Sequence, residues 1–138
     1  MMLRKQVTDS RVVFGVAGCI AVVATLGSLS YSNVLGFFPC ELCWFQRIFM
    51  YPLVPLLGYA AYMRSRELAP LILAYTLPGA AIAAYHSYIQ LAPSASCGSL
   101  ACSTVNIRIL WLSIPNQALL AFLLISSLVG VLVLQHDR

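Results

Sequence analysis

The chain has 138 residues, of which 61% are hydrophobic and only 9% are charged, and its formal net charge is +4. A typical soluble domain has about a quarter of its residues charged, so this composition excludes an ordinary soluble protein and favours one that lies in lipid. The few cations are scattered along the chain, which argues against nucleic-acid binding and suits them to setting membrane topology.

Four apolar segments are long enough to be transmembrane helices. They are residues about 12–30, 44–63, 68–91 and 111–134. The first would extend about 28 Å as a helix, at about 1.5 Å per residue, which matches the hydrocarbon core of a bilayer. We therefore predict an all-α membrane protein, a four-transmembrane-helix bundle that forms a single domain over residues 1–138.

The first span has a competing interpretation as a cleaved signal peptide, because a basic start followed by an apolar run is typical of one. Residues 12–30 are long for the apolar region of such a peptide, and residues 27–32 lack a clear small-x-small cleavage site. We therefore expect this span to be retained.

Prolines and small residues mark the second and third spans. Pro52 and Pro55 interrupt the second span, Pro70 lies in the first turn of the third, and Pro78 is expected to kink it. A cluster of small residues predicts that the third span approaches a partner helix closely. Its members are Gly79, Ala80, Ala83 and Ala84.

The loop charges predict the orientation of the bundle. The cations of the N-terminus, the middle connection and the C-terminus are Arg4, Lys5, Arg11, Arg64, Arg66 and Arg138. The other two connections contain only Arg108, apart from Arg47 at the head of the second span. By the positive-inside rule both termini are cytoplasmic, and residues about 31–43 and 92–110 lie outside the cell membrane.

Four of the five cysteines form two pairs in these outward connections, Cys40 with Cys43 and Cys97 with Cys102. Disulfides persist on the extracytoplasmic side, so both pairs are candidates for redox chemistry. The fifth, Cys19, lies in the middle of the first span, and we expect it to be a small hydrophobic residue of the core.

The first pair is a C-x-x-C motif within residues 39–47. If a helix begins near Cys40, the helix dipole lowers the pKa of a thiol there, and Cys40, Cys43 and Arg47 lie on one stripe of the helix. We expect the guanidinium to point back toward Cys43. An arginine inside the bilayer edge is costly, so it indicates a functional site that stabilises a thiolate or a bound carbonyl oxygen. The alternative is that Arg47 merely extends to the interface.

The second pair, Cys97 and Cys102, lies in a short loop of Ser, Gly and Ala. Closing so short a loop stabilises a fold only modestly, so the loop suits a disulfide that another protein reaches, although a plain structural disulfide is the alternative. Residues 105–113 are apolar with polar interruptions, and we expect an interfacial helix that brings this loop over the first pair.

On these features the chain resembles the DsbB/BdbC thiol-disulfide oxidoreductases. The resemblance rests on four spans, the Pro-Cys-x-x-Cys-Trp-x-Gln-Arg segment at residues 39–47 and a cysteine pair before the fourth span, with a short second pair as in the compact BdbC branch. It implies an enzyme of the bacterial inner membrane that reoxidises an extracytoplasmic, DsbA-like thioredoxin-fold protein. The electrons would pass to a membrane quinone, either ubiquinone or menaquinone.

The resemblance also implies a role for each paired cysteine. Cys97 would form the mixed disulfide with the partner protein, and the released Cys102 would attack the inner pair at Cys40. Cys43 would then donate electrons to the quinone.

Two further residues are implied at the quinone. Arg47 would hold and polarise it, and His86 matches a family position near it at the outer end of the third span. From the residues alone, His86 is equally well interpreted as an interfacial histidine. We predict no metal ligand.

Three alternatives stay open. The four paired cysteines could also bind zinc or an iron–sulfur cluster, each of which takes four cysteine ligands. An oxidising compartment argues against the stable thiolates that such a site needs. A non-enzymatic tetraspan protein with two structural disulfides would leave the C-x-x-C–Arg stripe without a purpose. A vitamin K epoxide reductase-like enzyme would have its C-x-x-C after the loop cysteines, which is the reverse of the order here.

Overall fold

The computed structural model describes residues 9–36, 38–92, 108–109 and 111–136. Its elements in chain order are α1 (Ser10–Asn33), α2 (Glu41–Met50), α3 (Leu53–Met63), a 3-10 turn (Arg66–Leu68), α4 (Ala69–Leu91), β1 (Arg108–Ile109), β2 (Leu112–Ser113) and α5 (Ile114–His136). The described chain is therefore almost entirely helical, which confirms the predicted all-α class.

Within the part of the chain that the structure describes, three stretches are long and apolar enough to cross a membrane. They are α1 (Ser10–Asn33), the 3-10 turn together with α4 (Arg66–Leu91), and most of α5 (Ile114–Gln135). The second predicted span is two short helices instead, because α2 ends at Met50 and α3 begins at Leu53. Pro52 lies at this break, where it has no N–H to continue the helical hydrogen bonds. Neither short helix alone has the roughly 20 residues that a crossing needs.

The remaining prolines are accommodated within helices. Pro55 lies in the first turn of α3 and does not interrupt it, contrary to expectation, since the first turn has no internal donor to lose. Pro70 lies in the first turn of α4, as predicted. Pro78 lies inside α4, which continues to Leu91. The predicted kink at Pro78 stays a prediction.

The helices form a ring in which α2 and α3 together occupy one position. Helix α1 packs against α3 and α5, and α4 packs against α5 and α2. At one end of the bundle the Tyr31 hydroxyl donates to Gln117 Oε1 at 2.9 Å, and at the other the Ser10 hydroxyl donates to the Arg64 carbonyl at 3.4 Å. Because Cys40 precedes α2 at the first of these ends, we call it the cysteine end and the other the basic end.

The core and the exterior of the bundle are both apolar. Tyr62 and Leu134 are 80% and 67% exposed, which is the outer surface expected of a protein in lipid. The largest fully buried apolar side chains are Phe14, Leu53, Leu57, Ile72, Phe122, Ile125, Val129 and Leu132.

Cys19 is exposed on α1, so the prediction that it belongs to the core is wrong. The buried face of α1 is formed by Phe14, Ala17 and Ala21. The thiol of Cys19 instead lines the mainly apolar cavity described below, where a small side chain is tolerated as it is in the core.

The small residues of α4 allow close approach to α5, as predicted. A side-chain carbon added at Gly79 would overlap the buried ring of Phe122. Ala80 and Ala83 are buried beside it, whereas Ala84 is exposed and takes no part.

The segment before α5 is not the expected interfacial helix. Among its described residues, Arg108 pairs with Ser113 and Ile109 with Leu112 in a short antiparallel ladder. Trp111 has a φ of 69° at the turn, a left-handed conformation that a helix does not accept. Residues 105–107 and 110 lie outside the described chain.

Candidate dithiol site at the cysteine end

The inner cysteine pair lies at the start of α2. Cys40 is the N-cap residue and Cys43 lies in the first turn, so the prediction of a helix that begins near Cys40 is confirmed. Both side chains are half-buried, and their sulfurs are 3.2 Å apart. The unpaired N–H groups of a first helical turn create a positive potential, which favours thiolate at this position.

His86 of α4 faces this pair from across the bundle. Its side chain is 2% exposed, and its Nε2 lies 3.8 Å from Cys40 Sγ. Its Nδ1 lies 3.1 Å from the side-chain amide nitrogen of Gln46. Gln46 is itself buried, with 6% of its surface exposed. The ring of His86 is therefore buried inside the bundle against the Cys40 sulfur.

Arg47 is anchored on α1. Its Nε donates to Ser28 Oγ at 3.0 Å, and its Nη2 donates to the Ser28 carbonyl at 3.0 Å and to Ser32 Oγ. Its guanidinium carbon lies 5.5 Å from the centroid of the Trp44 ring. Within the described residues its hydrogen bonds thus run to α1 instead of back to Cys43, contrary to the predicted orientation. The Nη1 group makes no hydrogen bond with the described chain.

The sequence assigned no role to Ser28 or Ser32, and it included Gln46 only as a member of the 39–47 motif without a role of its own. The available signals were weak: Gln46 lies three residues after Cys43 on one face of α2, and the two serines lie one turn apart among other polar residues at the C-terminal end of α1. Only the packing of α2 between α1 and α4 gives these polar groups their partners.

A cavity of about 960 Å³ opens beside the cysteines. Cys40, Cys43, Arg47 and His86 all contribute to its wall, so four of the predicted site residues meet in one place. From there it extends along α1 and α5 between mainly apolar side chains, among them Val16, Ile20, Val23, Leu120 and Leu124. The site thus combines a dithiol, a cation and an apolar channel wide enough for a lipid-soluble molecule.

The inner pair also offers a set of metal-ligand atoms. Cys40 Sγ, Cys43 Sγ and a ring nitrogen of His86 all lie within 4.8 Å of one another. The outer pair, Cys97 and Cys102, lies outside the described residues.

The fold and the site define a multi-pass membrane protein with a dithiol at the end of an apolar cavity. The family model described as "Disulfide bond formation protein DsbB" matches residues 10–132, which is most of the chain. The chain therefore belongs to the DsbB family of disulfide bond formation proteins, and the resemblance seen in the sequence is confirmed. Membership supports a thiol-disulfide oxidoreductase of the membrane.

Curated relatives agree with this assignment. The chain is 41% identical to disulfide bond formation protein C of Bacillus subtilis over 125 residues, which cover 84% of this chain and 89% of the relative. It is 41% identical to probable disulfide formation protein C 1 of Bacillus anthracis, covering 75% and 79%. It is 35% identical to a probable disulfide formation protein of Chlamydia muridarum, covering 81% and 85%. No solved structure matches the chain.

Proposed function

We propose that this protein reoxidises an extracytoplasmic, DsbA-like thioredoxin-fold protein and passes the electrons to a membrane quinone, ubiquinone or menaquinone. The observation that carries the proposal is the shared cavity, in which a cysteine pair and an anchored arginine meet an apolar channel. The arginine suits the polar carbonyl oxygens of a quinone and the apolar wall suits the rest of the molecule. The cysteine pair is the source of electrons.

Arg47 is the residue proposed to bind the quinone oxygen. Three of its hydrogen bonds hold it on α1, while its Nη1 makes none with the described residues. An N–H that is held in place by the rest of its guanidinium makes a strong, charge-assisted hydrogen bond to an oxygen that gains negative charge. His86, buried on the opposite wall, keeps the Cys40 sulfur in a polar setting.

Energetics favour a quinone over a thiol acceptor. A DsbA-like dithiol has a potential near about −120 mV, whereas the glutathione pool lies at about −220 to −260 mV. Electrons would therefore run uphill by several kcal/mol to reach glutathione, since about 30 mV corresponds to roughly 1.4 kcal/mol for two electrons. An acceptor of higher potential is required, and a bound quinone supplies one by taking up two electrons and two protons.

Each sulfur has a proposed task in the exchange. The partner's thiolate attacks Cys97 and breaks the Cys97–Cys102 disulfide, and the released Cys102 attacks Cys40. That attack breaks the Cys40–Cys43 disulfide and leaves Cys43 as the thiolate that faces the cavity. The partner's second thiolate then displaces Cys97 and leaves as the oxidised partner. The freed Cys97 thiolate attacks Cys102, which re-forms the Cys97–Cys102 disulfide and releases Cys40 as a thiolate. Re-formation of the Cys40–Cys43 bond then gives two electrons to the quinone, and the two protons that the partner dithiol lost would complete its reduction.

The proposed topology places this exchange at the outer face of the bacterial inner membrane. Helices α2 and α3, residues 41–63, together form the fourth crossing of a single four-span domain. The cysteine end faces outward, and the basic end, with Arg64 and Arg66, faces the cytoplasm as the positive-inside rule requires.

The test is a turnover assay on the purified protein in detergent. A reduced thioredoxin-fold dithiol and a short-chain quinone are added, and the absorbance of the quinone is followed. We expect quinone reduction that depends on both the dithiol and the protein. Absence of dithiol-dependent reduction would contradict the oxidase proposal. In a separate thiol-trapping experiment, disulfides that never form a mixed disulfide with another protein would favour the structural alternative.

A further inference from the structure

The geometry of the inner pair fits a second ligand besides the proposed quinone. The Cys40 and Cys43 sulfurs are 3.2 Å apart, the Cys40 sulfur is 3.8 Å from His86 Nε2, and all three atoms lie within 4.8 Å of one another. A tetrahedral zinc ion, with bonds of about 2.3 Å to sulfur and 2.0–2.1 Å to nitrogen, has its ligand atoms about 3.5–3.8 Å apart. The Cys40–His86 distance already fits, the two sulfurs would separate by about 0.5 Å, and the Cys43 sulfur would approach His86 by up to about 1.3 Å, which rotation of the Cys43 side chain can supply.

We propose that the reduced Cys40–Cys43 pair and His86 form a three-ligand site for Zn²⁺, with the fourth position open to the cavity. Two thiolates and one imidazole are a donor set that zinc accepts in sites that keep a water ligand. Binding exchanges two thiol protons for one metal ion, and no electrons are transferred. The inference rests on the dithiol geometry and does not need the quinone proposal to hold.

Gln46 supplies the second contact that a ligating histidine requires. A metal-bound imidazole donates its other N–H to a neighbouring acceptor, which orients the ring and strengthens the bond. His86 Nδ1 lies 3.1 Å from the Gln46 amide nitrogen. A half-turn of this amide brings its oxygen to the same position, so Nδ1–H gains an acceptor without any change in the helices.

Gln90 lies one turn after His86 on α4 and lines the same cavity. Its side-chain oxygen is buried and makes no hydrogen bond with the described residues. An oxygen of this kind is a suitable partner for a water molecule in the fourth position of the metal, because an unpaired buried acceptor gains a donor there.

The site would exist only in the reduced state. A disulfide removes both thiolates, so the oxidised pair cannot hold the ion, and an oxidising compartment excludes zinc as a permanent cofactor. Zinc that reaches the reduced pair occupies both sulfurs and prevents the Cys40–Cys43 bond from re-forming. The predicted consequence is a reversible block by zinc at the reduced stage of the cycle.

The test measures metal binding directly, without quinone or partner protein. The full chain carrying Cys97→Ser and Cys102→Ser is purified in detergent, reduced, and titrated anaerobically with Co²⁺ as a spectroscopic substitute for Zn²⁺. We expect one Co²⁺ per reduced chain, with thiolate-to-cobalt charge-transfer absorption and tetrahedral d–d bands that Zn²⁺ abolishes. The oxidised protein should show neither.

Variants separate this site from adventitious thiol binding. His86→Ala should weaken Co²⁺ and Zn²⁺ binding at least about tenfold, and Gln46→Leu should weaken it by about 10–100-fold, as loss of an outer contact does elsewhere. Gln46→Glu should tighten it, because a carboxylate is the stronger acceptor for the imidazole N–H. Cys19→Ser, which removes an exposed thiol of the same cavity, should change nothing.

Two results would overturn the inference. One is a reduced chain without charge-transfer absorption, and the other is an affinity that His86→Ala leaves unchanged. If His86→Ala fails to fold, Gln46→Glu decides, since an affinity no higher than that of the parent chain contradicts the role of His86. The turnover assay of the parent chain in metal-free buffer tests the quinone proposal separately, so failure of the zinc site and failure of the quinone proposal can be told apart.

Discussion

The cysteine end and the middle of the bundle are held together by different kinds of contact. At the cysteine end, Arg47 of α2 is bonded to Ser28 and Ser32 of α1, while Gln46 of α2 is bonded to His86 of α4. In the middle, the helices meet through buried apolar side chains and through small residues that let α4 and α5 touch.

The contrast follows from what a bilayer offers to each kind of group. The hydrocarbon core of a bilayer offers no hydrogen bonds, so polar side chains that are buried in a membrane protein must find one another or remain unsatisfied. Apolar packing depends on shape alone. Substitutions at the cysteine end should therefore change quinone chemistry, and those in the middle should change stability.

The largest effect is expected from Cys43→Ser. A hydroxyl cannot form the inner disulfide, so dithiol-driven quinone reduction should fall to the background rate while the protein remains folded. The absorbance of the quinone measures this rate. Cys19→Ser, which removes the thiol on α1, is the control and should keep the parent rate. Quinone reduction by Cys43→Ser at the parent rate would remove the inner pair from the mechanism.

Arg47→Ala should come next. Loss of a charge-assisted hydrogen bond of about 1.5–3 kcal/mol predicts a KM for quinone about 10–100-fold higher. The KM of Arg47→Lys should lie between those of the parent protein and Arg47→Ala. Lysine keeps the charge but lacks the planar fork that binds Ser28 and Ser32. Steady-state kinetics over a range of quinone concentrations gives both values. An unchanged KM in Arg47→Ala would remove this residue from the quinone site.

Gly79→Ala tests the middle of the bundle. The added methyl group overlaps the buried Phe122 ring, so we expect a loss of about 1–3 kcal/mol in unfolding free energy, with a normal rate per folded molecule. Denaturation in detergent gives the midpoint. Gly130→Ala is the matched control, since its methyl group meets no atom within 4 Å. Equal stability of the two variants would contradict the close α4–α5 contact.

The smallest effect is expected from Ser28→Ala, which removes one anchor of Arg47. A hydrogen bond to a charged group contributes about 1.5–3 kcal/mol, but the guanidinium keeps its bonds to the Ser28 carbonyl and to Ser32. Only part of that contribution is therefore lost, and the KM for quinone should rise about 2–10-fold with little change in kcat. Ser10→Ala removes a serine of the basic end, which bonds the Arg64 carbonyl, and should leave KM unchanged. Similar KM changes in both variants would mean that the two ends are not functionally distinct.

Local sequence features predicted the elements of the fold well. The C-x-x-C at the start of α2, the break at Pro52 and the close approach at Gly79 follow from helix capping, from the missing proline N–H and from the small size of glycine. Each of these features depends on residues that are close in the sequence or on one helix face. The sequence alone is therefore sufficient to predict them.

Features that depend on which helices are neighbours could not be predicted. The anchoring of Arg47 on Ser28 requires α1 beside α2, and the burial of His86 against Cys40 requires α4 beside α2. The misassigned Cys19 has another cause. In a membrane protein both faces of a helix are apolar, so hydrophobic periodicity does not distinguish core from exterior.

The central claim is that the Cys40–Cys43 pair delivers electrons to a quinone at the cysteine end. A single-turnover experiment tests it most directly: the Cys97→Ser, Cys102→Ser variant is reduced, freed of reductant and mixed with a short-chain quinone under anaerobic conditions. We expect one quinone reduced per chain, together with a new Cys40–Cys43 disulfide detected by mass spectrometry. A dithiol that stays reduced in the presence of excess quinone would contradict it.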